Sequence, residues 1–221
     1  ENRDLQSKSS IIDSLSSSLS DLSTKADALG TISDFLSYTG SSSNDSAVEI
    51  TTSGDSIPGS YEVSITDIAY AQRTYSNGVA DKDAALSVAD QTFDITIGAT
   101  TTSLTVAANS TLQDVADAIN SSEADVTAGI FYDGSNYYLQ VVGDETGAAS
   151  AITFADSGLG LGMTNTVQAA QDATFTVDGF AVTSATNTVS DVLPGTTIEL
   201  KAATTSADVS LARRWASRGN V

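Results

Sequence analysis

From Leu5 to Leu36 the residues Leu5, Ile12, Leu15, Leu19, Leu22, Ala26, Leu29 and Leu36 recur at the alternating three-and-four spacing of a heptad seam. No other feature constrains this chain as much. A helix over that run is about 50 Å long at about 1.5 Å per residue, well beyond a typical globular helix, so it needs a second helix to cover its stripe. Its flanks offer little help: Ser14, Ser16, Ser17, Ser18, Ser20 and Ser23 are mediocre helix formers and carry no charge to pair along the seam. The candidate helix-packing residues are therefore Ile12, Leu15, Leu19, Leu22, Ala26 and Leu29. No second heptad run follows, so the partner lies on another part of the protein or on another chain. The alternative is an amphipathic helix lying on its own globular domain.

The stretch Thr39–Ser46 is hydrophilic with strong turn chemistry and is read as the break between helix and β-structure. Period-two alternation then predicts strands at Val48–Thr52, Tyr61–Tyr70, Thr92–Ile97, Ser103–Val106, Val126–Phe131, Tyr137–Val142, Ala173–Val177, Ala181–Thr183 and Thr196–Lys201. Pro58-Gly59, Asp133-Gly134, Asp178-Gly179 and Pro194-Gly195 mark turns, the Asp-Gly pairs being the strongest hairpin signals. One short helix interrupts the strands: Ser110 or Thr111 can cap it, and Leu112, Val115, Ala116 and Ile119 form its apolar stripe. The fold class expected is α+β, a long coiled-coil-type helix followed by a mainly antiparallel β head.

The chain of 221 residues has no cysteine and no histidine, which removes disulfides, thiolate and imidazole metal sites, cysteine nucleophiles and any base titrating naturally near neutrality. The net charge is −19, and between Lys82 and Lys201 fifteen acids occur with no Lys or Arg. Such a surface repels phosphate backbones and anionic lipid, so nucleic acid is not an expected partner. No apolar run is long enough for a membrane span, and no basic-then-apolar segment reads as a Sec-type signal. Gly158-Leu-Gly160-Leu-Gly162 fails as a phosphate loop, because Met163 stands where the last glycine is needed. Asp133-Gly-Ser-Asn136 lacks the closing glutamate of a calcium loop and reads as a hairpin tip. Neighbouring acids such as Asp81 with Asp83, or Asp144 with Glu145, are expected by chance in a chain with 28 acids. No enzyme activity, cofactor or metal is expected.

Three segments together resemble the bacterial flagellar filament-cap family, also called hook-associated protein 2. The first is the long helix, its serine-rich break and Gly59-Ser-Tyr-Glu-Val-Ser-Ile65 running into Ile68-Ala-Tyr-Ala-Gln-Arg73. The second is Leu112-Gln-Asp-Val-Ala-Asp-Ala-Ile-Asn120 with Val126-Thr-Ala-Gly-Ile130 and Tyr138-Leu-Gln-Val141, similar to a motif shared by flagellin-related proteins. The third, and most distinctive, is Gln171–Gly179 with Thr186–Val192 and Pro194–Leu200. The resemblance implies a leg helix at 1–39 whose partner comes from the carboxy-terminal part of such proteins. It also implies a first head domain from 40–70 with 168–205, a second head domain at 71–167 inserted into the first, and a tail at 206–221. It further implies a homo-oligomeric ring outside the cell at the filament tip, exported without a cleaved Sec signal, that promotes polymerisation of flagellin. Hook-associated junction proteins and an export chaperone are the further partners implied. The rival readings are another flagellar axial protein, either a junction protein or flagellin, and a surface adhesin binding host glycans. An adhesin would be expected to show an aromatic-lined sugar platform, whereas Tyr132, Tyr137, Tyr138, Phe154, Phe175 and Phe180 fall on strand faces.

Overall fold

A computed structural model describes residues 2–27 and 36–215. The first element is helix α1 (Asn2–Asp27). Among the described residues the remainder comprises fifteen strands, a second α-helix, α2 (Leu112–Asn120), and one short 3-10 turn at Ala148–Ser150, so the expected α+β class and antiparallel head are found.

Two sheets build the first half of the head. Five strands run in the order β1 (Leu36–Ser42), β15 (Thr204–Trp215), β3 (Gly59–Asp67), β11 (Ala173–Val177) and β12 (Phe180–Ser184). Three more run in the order β13 (Thr188–Leu193), β14 (Thr196–Leu200) and β2 (Val48–Thr52). Alternation dictates which residues meet. On β11, Ala173, Phe175 and Val177 are buried while Thr174 and Thr176 face outward, and on β14 Ile198 and Leu200 point in. These side chains join Val48, Val63, Ile65, Val189 and Val209 in one core shared by both sheets.

The second half of the head has its own core. One sheet has the order β10 (Asn165–Gln168), β4 (Arg73–Tyr75), β8 (Tyr137–Gly143), β7 (Val126–Tyr132), and another β6 (Thr100–Val106), β5 (Gln91–Ile97), β9 (Ile152–Asp156). Helix α2 begins on a capping box: Thr111 Oγ1 accepts from the Asp114 N–H at 3.3 Å, and the Asp114 carboxylate accepts from the Thr111 N–H at 2.8 Å. Its stripe Leu112, Val115, Ala116 and Ile119 is buried with Phe93, Ile95, Leu139, Val141 and Leu161. At its end the Asn120 amide binds both the N–H and the C=O of Ala128, at 2.7 and 2.9 Å, fixing the helix to β7.

Strands β4, β9, β10 and β13 are not anticipated by the sequence reading, and two further stretches contradict it. The helix expected to reach residue 38 does not, because Leu36–Ser42 is strand β1, paired antiparallel with β15. Tyr38 and Gly40 lie against β2: Thr52 Oγ1 donates to the Tyr38 carbonyl at 2.8 Å, and a Cβ on Gly40 would run into Ile50, whose own Cβ is 3.0 Å away. The spacing of Leu36 continues the heptad, but sheet pairing decides its conformation. The stretch 206–215, expected to lie in a tail beyond the head, instead belongs to the head, since β15 extends through Trp215 and lies between β1 and β3; residues 216–221 lie outside the described residues. Ala207, Val209 and Leu211 are buried there while Asp208, Ser210 and Ala212 face solvent, the period of a half-buried strand.

The turns show why their residues were chosen. Asp178 and Gly179 both have positive φ, 49° and 81°, the conformation of a type I′ hairpin between β11 and β12. Gly195, at φ 62°, could not carry a side chain, because its Cβ would meet the Asp55 carbonyl carbon at 2.6 Å.

Candidate functional site: an uncovered helix stripe and a clamped junction

Ile12, Leu15, Leu19 and Leu22 fall within an arc of about 80° on α1 at 100° per residue. Each is 63–64% exposed, and residues 6–25 of the helix are exposed throughout. Ala26 also lies in the helix, whereas Leu29 lies outside the described residues. Some of its hydroxyls bond back to the helix itself: Ser14 Oγ donates to the Ser10 carbonyl at 2.8 Å, and Thr24 Oγ1 to the Ser20 carbonyl at 2.9 Å. The helix therefore presents these four large aliphatic side chains, with Ile11 beside them at 64% exposure, on a surface otherwise made of serines and a few charged residues. Such a stripe is suited to packing against another helix.

The two cores meet at a short, strongly hydrogen-bonded crossing. Tyr70 and Gln171 exchange backbone hydrogen bonds at 3.0 and 3.1 Å where the chain leaves and re-enters the first half of the head. The Asn187 amide clamps the N–H and C=O of Ala69 at 2.7 and 2.9 Å, and buried Gln72 does the same to Ile152 at 2.9 and 2.8 Å. Thr146 donates to the Ala185 carbonyl at 2.6 Å, and Asp172 accepts from the Ala148 N–H at 2.7 Å. Sequence reasoning passed over these residues. An isolated amide gives no periodic signal, and its partners are up to 118 positions distant.

The Gly158–Gly162 loop is a structural turn. Leu159, Leu161 and Met163 anchor it in the second core, and the Asp156 carboxylate accepts from the N–H groups of Gly158, Leu159 and Leu161 at 2.9, 2.6 and 2.7 Å. Partial burial pushes the Asp156 carboxyl up, but these backbone donors outweigh it and hold the group below the ordinary carboxylate range. A depressed folded pKa means the ionised group stabilises the fold above the unfolded-state value, and that contribution is lost as pH falls through the folded one. The melting temperature of Asp156→Asn is therefore expected to change less than that of the parent between about pH 4 and pH 2, as measured by thermal melts across that range. Equal slopes for the two proteins would contradict it.

At the β7–β8 turn, Asp133 Oδ1 accepts from the Ser135 and Asn136 N–H groups, both at 2.8 Å, and Oδ2 accepts from the Tyr138 hydroxyl at 2.8 Å. These donors hold its carboxyl below the usual range. The site is a hairpin tip, as its spacing indicates. Among the described residues, no helix is long and apolar enough to cross a membrane.

Comparison with known proteins gives this architecture a family. Residues 1–72 match the model of the flagellar hook-associated protein 2 N-terminus, residues 170–212 that of its C-terminus, and residues 92–144 the flagellin hook IN motif. Flagellar hook-associated protein 2 of Escherichia coli strain K12 is 34% identical over 203 residues, covering 83% of this chain and 43% of that protein. The chain spans less than half the length of the curated relatives it matches. The D2-D3 domains of the flagellar cap protein FliD from Serratia marcescens, in space group I422, superpose with a TM-score of 0.66 at 35% identity, covering 72% of this chain and 94% of that one. The D1-D2-D3 domains of the Escherichia coli cap protein superpose with a TM-score of 0.77 at 28% identity, over 91% of this chain and 62% of that one. This chain belongs to the flagellar hook-associated protein 2 family, that of the flagellar cap protein FliD.

Proposed function

We propose that the protein carrying these residues caps the distal tip of the bacterial flagellar filament and promotes polymerisation of exported flagellin there. The observation that carries this reading is a head of two cores bearing an uncovered apolar helix, in a chain that matches both terminal models of the family around a flagellin-related motif. The work is conformational and not chemical, since a chain without His or Cys has few groups suited to catalysis near neutral pH. The protein acts outside the cell as a homo-oligomeric ring. Flagellin, hook-associated junction proteins and an export chaperone are its other partners, and export proceeds without a cleaved Sec signal.

Within that reading, residues 40–70 with 168–205, extended by β1 and β15 to 36–70 with 168–215, form a first head domain, and 71–167 form a second domain inserted into it. The stripe Ile12, Leu15, Leu19, Leu22, Ala26 and Leu29 is one half of a leg. Its partner is a helix from later in the protein, and the topology supports this: β15 runs antiparallel to β1 and brings Trp215 alongside Leu36. Chain continuing past β15 thus starts next to the segment that joins α1 to the head.

The test is to delete the gene for the full-length protein in its own host and restore it. Electron microscopy should show filaments lost and then recovered, with unpolymerised flagellin released into the medium in their absence. Filaments of ordinary length in the deletion strain would sink the proposal.

A further inference from the structure

The chain has one Asn-Gly pair, Asn77-Gly78, which follows β4 closely, and both residues are exposed. Such a pair is a strong hairpin signal, yet no hairpin forms there. Gly78 is required for space instead, since a Cβ on it would lie 2.9 Å from the Asn136 Cβ and 3.1 Å from the Tyr138 ring. A glycine imposed by packing leaves the asparagine before it next to a backbone nitrogen that no side chain shields. Every other asparagine of the chain precedes a residue whose side chain crowds that nitrogen.

Among the described residues no hydrogen bond holds the Asn77 side-chain amide or the Gly78 N–H, although the backbone on either side is pinned. The Asn77 N–H donates to the Leu161 carbonyl at 2.6 Å, and the Val79 N–H donates to the Tyr137 carbonyl at 2.8 Å. Ser76 adds a further element. Its buried hydroxyl accepts from the Leu139 N–H at 2.8 Å and donates to the Asn77 carbonyl at 2.8 Å. When the Gly78 nitrogen loses its proton, amide resonance spreads the charge onto that carbonyl oxygen. The hydroxyl then stabilises the anion as a preorganised donor stabilises any developing oxyanion.

We propose that Asn77 is a site of spontaneous deamidation, activated in the folded protein by Ser76, with water as the only co-reactant. The deprotonated Gly78 nitrogen bonds to the Asn77 Cγ, the Cγ–Nδ2 bond breaks, and that nitrogen leaves with the proton as ammonia, closing a five-membered imide. Water opens the ring at Cγ to give aspartate, or at the main-chain carbonyl to give isoaspartate. Either product adds a negative charge, and isoaspartate also lengthens the backbone by one methylene. Both changes fall on a fixed stretch. The Asn77 amide lies against Gly162, where a Cβ would collide with it, so the new charge enters the loop that already holds the Asp156 carboxylate. The longer backbone cannot keep both the Leu161 and the Tyr137 bonds.

Arg73 and Lys82 make the site readable, because trypsin releases Thr74–Lys82 as one peptide. The whole chain is kept folded at mildly alkaline pH, sampled over weeks, digested and analysed by mass spectrometry. The peptide should gain the mass difference between an amide and an acid and separate into aspartate and isoaspartate forms. The folded chain should react no more than about tenfold slower than a synthetic peptide of the same sequence, whereas a site that must unfold first is slower on the order of 10³ or more. That slower result would overturn the proposal. Ser76→Ala, studied where its circular dichroism matches the parent's, should slow the folded reaction about tenfold, the worth of one neutral hydrogen bond, and leave the synthetic peptide's rate unchanged. Equal rates in the two folded proteins would remove the hydroxyl from the reaction and defeat the proposed activation. Converted protein should also melt at a lower temperature than Asn77→Gln aged in parallel, because glutamine closes the imide far more slowly. Coincident melting curves after conversion would contradict the structural consequence assigned to the site.

Discussion

Phe175→Ala and Phe93→Ala are each expected to melt their own half of the head and to weaken the other half by one shared coupling free energy. Phe175 and Phe93 are each fully buried, one in each core, and truncating such a ring costs about 3–5 kcal/mol, a large share of the about 5–15 kcal/mol that stabilises a typical domain. The coupling comes from nesting. When the insert unfolds, the first half must hold Tyr70 and Gln171 together across a loop of roughly 100 residues, a closure cost of about 4 kcal/mol. By linkage the insert loses the same amount when the first half unfolds, because its unfolded chain is then freed from that closure. Hydrogen exchange read segment by segment, at matched temperature and pH, distinguishes the two halves. Loss of protection confined to residues 73–168 in Phe93→Ala would mean that the two bodies are less coupled than the Thr146–Ala185 and Ala148–Asp172 hydrogen bonds between them indicate.

The parts of this fold that were legible in the sequence are those specified by local chemistry. The Thr111–Asp114 capping box with its apolar stripe identifies α2, and the two Asp-Gly pairs identify their hairpins. The elements that escaped are set by distant pairing. Strand β15 carries a clear alternation of Ala207, Val209 and Leu211, but its conformation is fixed by β1 on one side and β3 on the other, which lie far away in the chain. Strands β4 and β10 have three and four residues and offer too short a pattern to read. Leu36 fits a heptad and a strand equally well, and only the packing of Tyr38 and Gly40 on β2 decides between them. The stripe on α1 was legible because a helix surface follows from spacing alone. What covers it was not, since the residues that would do so leave no trace within the stripe. A shallow surface cleft lined by Tyr75, Phe131, Tyr138 and Val167 was hidden for a related reason, since these residues come from four separated strands.

Changing Leu15 and Leu22 together to Asp is expected to abolish association through the leg while leaving the head folded. In the isolated chain these side chains are more than half exposed, so the substitution removes no packed contact from the head. Once a second helix covers the stripe the balance reverses. Each leucine then contributes about 1.5–3 kcal/mol of burial, and two carboxylates in the seam would add a desolvation cost on top of that loss. The serine-rich flanks supply no ion pairs that could compensate. The parent should therefore self-associate through α1 as concentration rises, and the variant should not. Circular dichroism should show the β signal of the head unchanged, with reduced helix content in the variant at concentrations where the parent's helix is paired. Ser10→Asp with Ser17→Asp serves as the control, placing the same charge on the side of the same helix opposite the stripe. If that control dissociates the leg as strongly as Leu15→Asp with Leu22→Asp, net charge and not the aliphatic seam governs α1, and the leg assignment fails. A parent that is helical and monomeric at every concentration would be equally damaging, because a stripe of four large aliphatic side chains would then be stable in water without any partner.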